Sequence, residues 1–303
     1  MSYSIRLGTF TPSVLLAVCA QSGALADAGL TVVEEPVSSS PAQFSALLAG
    51  ELDAAFTSPD NVIAYAFAQQ NPLSRRVETT VVAALDRGLG LSLWNSPGAG
   101  ETPPREQMRL GVDVPTSGFA FVAFELLRRA GRPPGSYEVE SLGSTPKRAA
   151  ALARSDIDVT VLNAGNELLA EAMGCRLVSR AVDLGPYLGT VLVRNRAADE
   201  PLVEALETLA EALLATSRAI LAEACADQVV AAALELLGLN STQAQRYHDG
   251  LRSEAEGLVP DGRVDLPALQ TLLDLRRKFH PSDPLADVLP HLEDWVTSRA
   301  RPR

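Results

Sequence analysis

Arg6-Leu7-Gly8-Thr9-Phe10-Thr11-Pro12-Ser13, near the start of the chain, returns in altered form as Arg109-Leu110-Gly111-Val112-Asp113-Val114-Pro115-Thr116-Ser117. Both passages lead from Arg-Leu-Gly to a proline and a serine, and both run into an apolar helical stretch closing on Ala-Gly, at Ala28-Gly29 and Ala130-Gly131. The parallel continues outward. Ser38 to Pro41 is matched by Ser144-Thr145-Pro146, and Leu48-Ala49-Gly50-Glu51-Leu52-Asp53-Ala54 by Leu152-Ala153-Arg154-Ser155-Asp156-Ile157-Asp158-Val159. The last matched segments end at Asn61 and Asn166, each opening another helix. One shared triplet is a common accident, but a whole series of segments in the same order marks an internal repeat.

Each half reads as strand, loop, helix, three times over. Residues 31–37 and 137–142 have the β-branched or alternating character of strands, whereas Gln43 to Gly50 and Lys147 to Ala153 have helical spacing. Alternating strands and helices imply a mainly parallel sheet with right-handed crossovers, and in such sheets ligands sit at the carboxyl ends of the strands. Val81 to Leu85, Gly90 to Trp94 and Leu188 to Val193 are further strands, and the Pro/Gly-rich stretch Asn95 to Pro104 is a surface connection. From Glu200 onward the pattern is helical, with Leu202, Leu206, Leu209, Leu213 and Leu214 on one face. Such a tail packs most economically on the first lobe. The expected fold is α/β: two similar mixed-sheet lobes joined by a two-crossing hinge, with a helical C-terminal tail. Lobe I takes 1–90 and 195–303, lobe II takes 95–190, and the hinge lies near 86–98 and 188–198.

With 303 residues, 47% hydrophobic and 21% charged, the composition suits two lobes with a sizeable core. A formal net charge of -11 opposes binding to nucleic acid or anionic membrane, so neither is an expected partner. No stretch of about 20 apolar residues occurs, so no membrane insertion is expected. Cys19, Cys175 and Cys225 are widely spaced and near no histidine, which gives no disulfide framework and no metal site. The amino terminus passes directly into a strand-like pattern without a signal-peptide profile. The expected location is therefore cytoplasmic, or periplasmic if a leader has been removed.

Several passages resemble the type II periplasmic solute-binding proteins, in the branch for sulfonates, nitrate, taurine and thiamine-pyrimidine precursors that includes pyrimidine-synthase-like proteins. They are Ala46 to Ala55, Thr57-Ser58-Pro59-Asp60-Asn61, Gly111 to Gly118, Leu152 to Asn163, and Pro186 to Val193. The resemblance covers about the first 200 residues and implies a ligand cleft between the lobes. It further implies an ABC transporter permease as partner if the chain is exported, and no cofactor. The pyrimidine synthases of this fold resemble one another in an amino-terminal histidine and a cysteine-rich motif. Here His248, His280 and His291 all come late, so that chemistry is not expected.

The candidate ligand-binding residues follow from strand ends and helix starts. Thr9, Phe10 and Thr11 follow the first strand, with a helix cap at Thr11 or Ser13 as the simpler reading. Ser38, Ser39 and Gln43 flank Pro41 at a helix start, where amides and hydroxyls bind anions. Thr57, Ser58, Asp60 and Asn61 form the strongest cluster, since a strand ends there and the resemblance places ligand contacts on that loop. In the second half Thr116, Ser117, Gly118 and Phe119 occupy the matching loop, and Asn163 and Asn166 stand opposite Ser58 and Asn61. Phe10, Trp94, Phe119 and Tyr187 lie near the expected cleft or hinge and suit a planar or apolar ligand. Lys147 and Arg148 begin a helix and are weaker candidates.

No G-x-S-x-G, H-E-x-x-H or P-loop motif occurs. The leading expectation is a solute-binding protein that closes over a small polar or anionic organic molecule: a sulfonate, a carboxylate or a pyrimidine-like compound. The alternative is a cytoplasmic lyase, dehydratase or decarboxylase acting on a small carboxylic acid, with Asp60 as acid or base because an enclosed carboxyl has its pKa raised. A third is a cytoplasmic sensor.

Overall fold

A computed structural model describes residues 3–68, 71–97, 107–282, 285 and 288–302. The first half supplies β1 (Tyr3–Thr9), α1 (Val14–Gln21), α2 (Ala24–Asp27), β2 (Leu30–Pro36), α3 (Ser40–Ala49), β3 (Ala54–Thr57), α4 (Pro59–Phe67) and β4 (Thr79–Asp86). After β5 (Ser92–Asn95) come β6 (Met108–Val112), α5 (Gly118–Arg129), β7 (Tyr137–Ser141), α6 (Thr145–Ala153), β8 (Val159–Leu162), α7 (Asn166–Ala172) and β9 (Arg176–Arg180). A 3-10 turn at Ala181–Leu184 leads into β10 (Thr190–Asn195). The tail is α8 (Glu200–Leu221), α9 (Ala226–Leu237), α10 (Ser241–Leu251), α11 (Leu266–Phe279) and α12 (Leu292–Trp295). Most of the connection expected over 95–104 lies outside the described residues.

The strands form two five-stranded sheets, β2-β1-β3-β10-β4 and β7-β6-β8-β5-β9. The repeat holds residue by residue. Gly8 pairs in parallel with Glu35 and Ala55, and Gly111 with Glu140 and Thr160. Arg6 and Asp53 exchange backbone contacts, Arg6 N donating to Asp53 Oδ2 at 2.8 Å and Asp53 N to Arg6 O at 2.9 Å. Arg109 and Asp158 do the same at 2.7 and 2.9 Å. The repeated glycine has a packing cause: a Cβ on Gly8 would stand 2.5 Å from Leu52 Cδ1, and one on Gly111 the same distance from Ile157 Cδ1. Arg, Gly, the following apolar residue and Asp recur together because they clasp neighbouring strands.

One strand in each sheet runs against the others. β10 lies antiparallel between β3 and β4, and β5 antiparallel between β8 and β9. Each is the strand with which the chain enters a sheet after crossing from the other, so the sheets are mixed. β9 was not expected from the sequence; Arg176-Leu177-Val178-Ser179-Arg180 is charged at both ends and only partly buried.

Serines cap the helices that leave the strand ends. The side chains of Ser13, Ser39, Ser58 and Ser117 accept from Leu16 N, Ala42 N, Asp60 N and Ala120 N, at the starts of α1, α3, α4 and α5. Such a cap is worth about 1 kcal/mol and anchors the first turn at the end of the sheet. The tail divides its packing. Leu206, Leu209 and Leu213 of α8 join Val229 of α9 and Val14 of α1 in one core with the first sheet. Leu269, Leu272 and Leu273 of α11 join a core that contains Val191 of β10 and also Leu110 and Phe121 from the second lobe. α11 packs against both α5 and α4, so the tail spans the two lobes instead of serving the first alone. Among the described residues no helix is long and apolar enough to cross a membrane.

Candidate functional site

The strand-to-helix loops after β1, β3, β6, β7 and β8 open toward a gap between the sheets. The gap holds a partly open cavity of about 130 Å³. A void of ~150 Å³ accepts a benzene-sized molecule, so this one suits a ligand of that order. Ser13, Ser58, Ser117 and Ser144, at the starts of α1, α4, α5 and α6, all line it. Four helix amino termini therefore point their free N–H groups and partial positive charge inward.

The lips of the lobes touch around the cavity. Ser144 N donates to Ser38 O at 3.0 Å, Ser40 N to Asp113 Oδ2 at 3.2 Å, and Asn166 Nδ2 to Thr11 Oγ1 at 3.2 Å. Gly118 approaches Asp60 so closely that a Cβ would lie 2.6 Å from the Asp60 Cβ. Behind these contacts Asp60 and Arg276 form a buried ion pair, each with 1% of its side chain exposed. Arg276 Nε donates to Asp60 Oδ1 at 2.9 Å and Nη2 to Oδ2 at 2.6 Å, while Nη2 also reaches Thr116 O at 3.0 Å.

Of the candidates read from the sequence, Thr9, Phe10, Thr11, Thr57, Ser58, Asn61, Ser117, Gly118, Phe119, Asn163 and the weaker candidate Arg148 line the cavity. The others lie elsewhere. Ser38 and Ser39 serve the lip and the α3 cap, and Gln43 is buried with its amide donating to Gly8 O and Phe56 O. Thr116 stands beside Arg276, and Asn166 is spent on Thr11 and Asn163. Trp94 is packed inside the second lobe with its indole N–H donating to Ser92 Oγ at 2.8 Å. Tyr187 is fully buried, and burial followed by the Asp60 and Asp86 charges pushes its hydroxyl pKa well up. Asp60 as acid or base needs correction: both its oxygens are taken by Arg276, and it does not line the cavity.

The enclosed carboxyl is Asp86, at the end of β4. Burial pushes it up to about 6, against the hydrogen bonds from the Thr190 hydroxyl and from the backbone N–H groups of Gly88 and Thr190. Asp113 faces the same space, and Arg148 is the one basic side chain among the described lining residues. Burial brings Arg148 down to about 10, with the Asp113 charge working the other way. Tyr247, Leu251 and Leu258 add an apolar wall from the tail. Asp86 and Asp113 carried no signal beyond their position at strand ends, and the wall from α10 carried none. A hollow of about 340 Å³ also lies between β5, β9, α7 and α10, but ion pairs Arg180–Glu256 and Arg246–Glu171 cross it.

No known family model matches the chain, and no curated protein sequence does. Solved structures do. The chain superposes on the periplasmic nitrate-binding protein of Synechocystis with a TM-score of 0.77 at 10% identity, over 97% of this chain and 86% of that one. The alkanesulfonate-binding protein of Xanthomonas axonopodis pv. citri, bound to MOPS, gives 0.69 at 13% identity, over 100% of both chains. A Candida albicans protein described as having the generic periplasmic binding protein fold gives 0.72 at 13% identity, over 99% and 98%. Two mixed five-stranded sheets, a cavity at their facing strand ends and these superpositions identify the architecture of this chain as the periplasmic-binding-protein fold.

Proposed function

We propose that this protein binds a small polar organic solute by closing its two lobes over it, with the crossings near 86–98 and 188–198 acting as the hinge. The observation that supports this reading is the cavity itself, to which both lobes contribute polar groups and helix amino termini while their lips are in hydrogen-bond contact. Closure of this kind is a population shift, driven by contacts that a ligand makes only with the closed form. Sulfonates, carboxylates and pyrimidine-like compounds remain the classes to be assayed, and a membrane permease is the partner if the chain is exported. Isothermal titration against such a panel, paired with small-angle X-ray scattering, tests the proposal. Binding of one compound should reduce the radius of gyration and, at a hundred times its Kd, stabilise the fold by about 2.7 kcal/mol. A panel in which nothing binds or compacts the protein removes the reading.

Asp86 supports a second reading, a lyase or decarboxylase on the same scaffold, because a buried carboxyl near 6 is suited to proton transfer. Product formation by the wild type that Asp86→Asn abolishes, with binding retained, would favour it.

A further inference from the structure

The guanidinium of Arg276, in the last turn of α11, stands where three elements meet. Its Nη2 donates both to Asp60 Oδ2 at 2.6 Å and to Thr116 O at 3.0 Å. Asp60 belongs to α4, which leaves β3 of the first sheet, and Thr116 to the loop between β6 of the second sheet and α5. One nitrogen therefore bridges the boundary across which the lobes part, beside the point where Gly118 presses on Asp60. α11 spans the same boundary along its length. The chain leading into it is strung on β4, through Val259 N to Leu85 O and Ala84 N to Gly262 O, both at 2.8 Å. Its far end is seated on α5, where Lys278 Nζ donates to Glu125 Oε2 at 2.6 Å and the Phe279 ring meets that of Phe124 at 5.5 Å.

We infer that Arg276 is a latch carried on the α11 strap, favouring the closed form before any ligand enters; this rests on the lobe-closing reading above. If Asp60 draws away from Thr116 and Gly118, Nη2 can follow only one of its two acceptors, because bonds of 2.6 and 3.0 Å leave no slack. Opening therefore gives up a hydrogen bond to a charged group. If the guanidinium stays with Asp60, it also gives up the Phe121 ring, over which it stands at 4.9 Å. Closing restores these contacts without help from the cavity, so a ligand has that much less of the closure to drive. Arginine suits the task because its planar fork grips a carboxylate, donates to a carbonyl and lies over a ring together, which a lysine ammonium does not. The latch is distinct from the ligand contacts: neither Asp60 nor Arg276 lines the cavity, although Asn61 and Ser117, beside Asp60 and Thr116, do.

Amide hydrogen exchange on the full chain without ligand reads the latch. The Ser40 and Ser144 amides are bonded across the lips, to Asp113 Oδ2 and Ser38 O, and exchange when the lobes part. The amides of β10, held between β3 and β4, exchange on global unfolding. Arg276→Lys keeps a positive charge for Asp60 but loses the fork that reaches Thr116 O. It should speed lip exchange at least ~10-fold more than it speeds exchange in β10. An equal change at both places would give Arg276 a purely structural part and overturn the inference, as would unchanged lip exchange; either result leaves lobe closure standing. Lip amides that exchange no faster than β10 in the wild type would mean that the lobes do not part, which removes the inference and the hinge together. If Arg276→Lys does not fold, the double variant Asp60→Leu with Arg276→Met strands no charge and leaves Thr116 O without that donor, and it is read in the same way.

Discussion

Glu167 opens α7 with 8% of its surface exposed, and its carboxyl lies against Gly90 in the crossing between the sheets. Burial pushes it up to about 8, with the Glu256 charge adding to the rise while the Gly165 N–H and Arg180 oppose it. Its folded pKa stands above its unfolded one, so its contribution to stability is fully present below about pH 4.5 and is lost as pH climbs toward 8. The slope is roughly 1.4 kcal/mol per pH unit within that window. Glu167→Gln, which can still accept from Gly165 N, should flatten that part of the profile, read as urea midpoints at pH 5, 7 and 9 for both proteins. Single residues were also where the sequence was easiest to read wrongly. Ser38, Ser39 and Gln43 looked like ligand groups because hydroxyls and amides at a helix start serve binding and capping alike. Only the third dimension separates the two uses: Ser39 caps α3, and Gln43 is turned to two backbone carbonyls inside the core.

α11 shows what an element contributes beyond its own amphipathic stripe. Its apolar face packs on α5 and α4, Phe279 stacks with Phe121 at 6.2 Å, and Arg276 stands 4.9 Å over the Phe121 ring while holding Asp60. Removing one member of a buried pair strands the other charge at a cost of about 3–5 kcal/mol, whereas replacing both with apolar groups is often tolerated. Asp60→Leu and Arg276→Met should each lower stability by about that much, and the double variant should be more stable than either, as chemical denaturation of all four proteins would show. A cost for the double equal to the sum of the singles would mean that the two residues act independently. That this part of the chain is helical was legible from the pattern that runs from Glu200 onward. Its partner was not, because Arg276 and Asp60 lie 216 residues apart and no local pattern joins them. β1 to β3 and β6 to β8 were legible for the opposite reason: each clasp of Arg, Gly and Asp is repeated, so one copy explains the other.

For the whole molecule the meeting of the lips is the decisive geometry, and Gly143 sits on it. Its φ is +81°, and a Cβ there would collide with the Ser38 carbonyl of the facing lobe. Gly143→Ala should hold the lobes apart, giving a larger radius of gyration by X-ray scattering and a loss of at least ~10-fold in ligand affinity. The unfolding free energy should fall by no more than the ~1–3 kcal/mol of the strained backbone. Wild-type affinity in this variant would show that the contact has no part in closure. The position of the cavity could be anticipated from topology, since loops after parallel strands gather at one end of each sheet. Its charge could be only in part: Arg148 stood among the weaker candidates, whereas Asp86, Asp113 and Tyr247 come from distant segments that no local pattern joins.

The interleaving of β10 and β5 sets an order of assembly. The second sheet has all five of its strands once the chain has been made as far as Arg180, whereas the first keeps an unfilled slot between β3 and β4 until Thr190–Asn195 emerges. As the chain leaves the ribosome, the lobe that begins later in the sequence is therefore the first able to finish its sheet. The earlier lobe waits with two strand edges bare, and edges of that kind recruit other chains. The vulnerable interval in the life of this protein falls before its last central strand arrives, and it is closed by the same strand that ties the two lobes together.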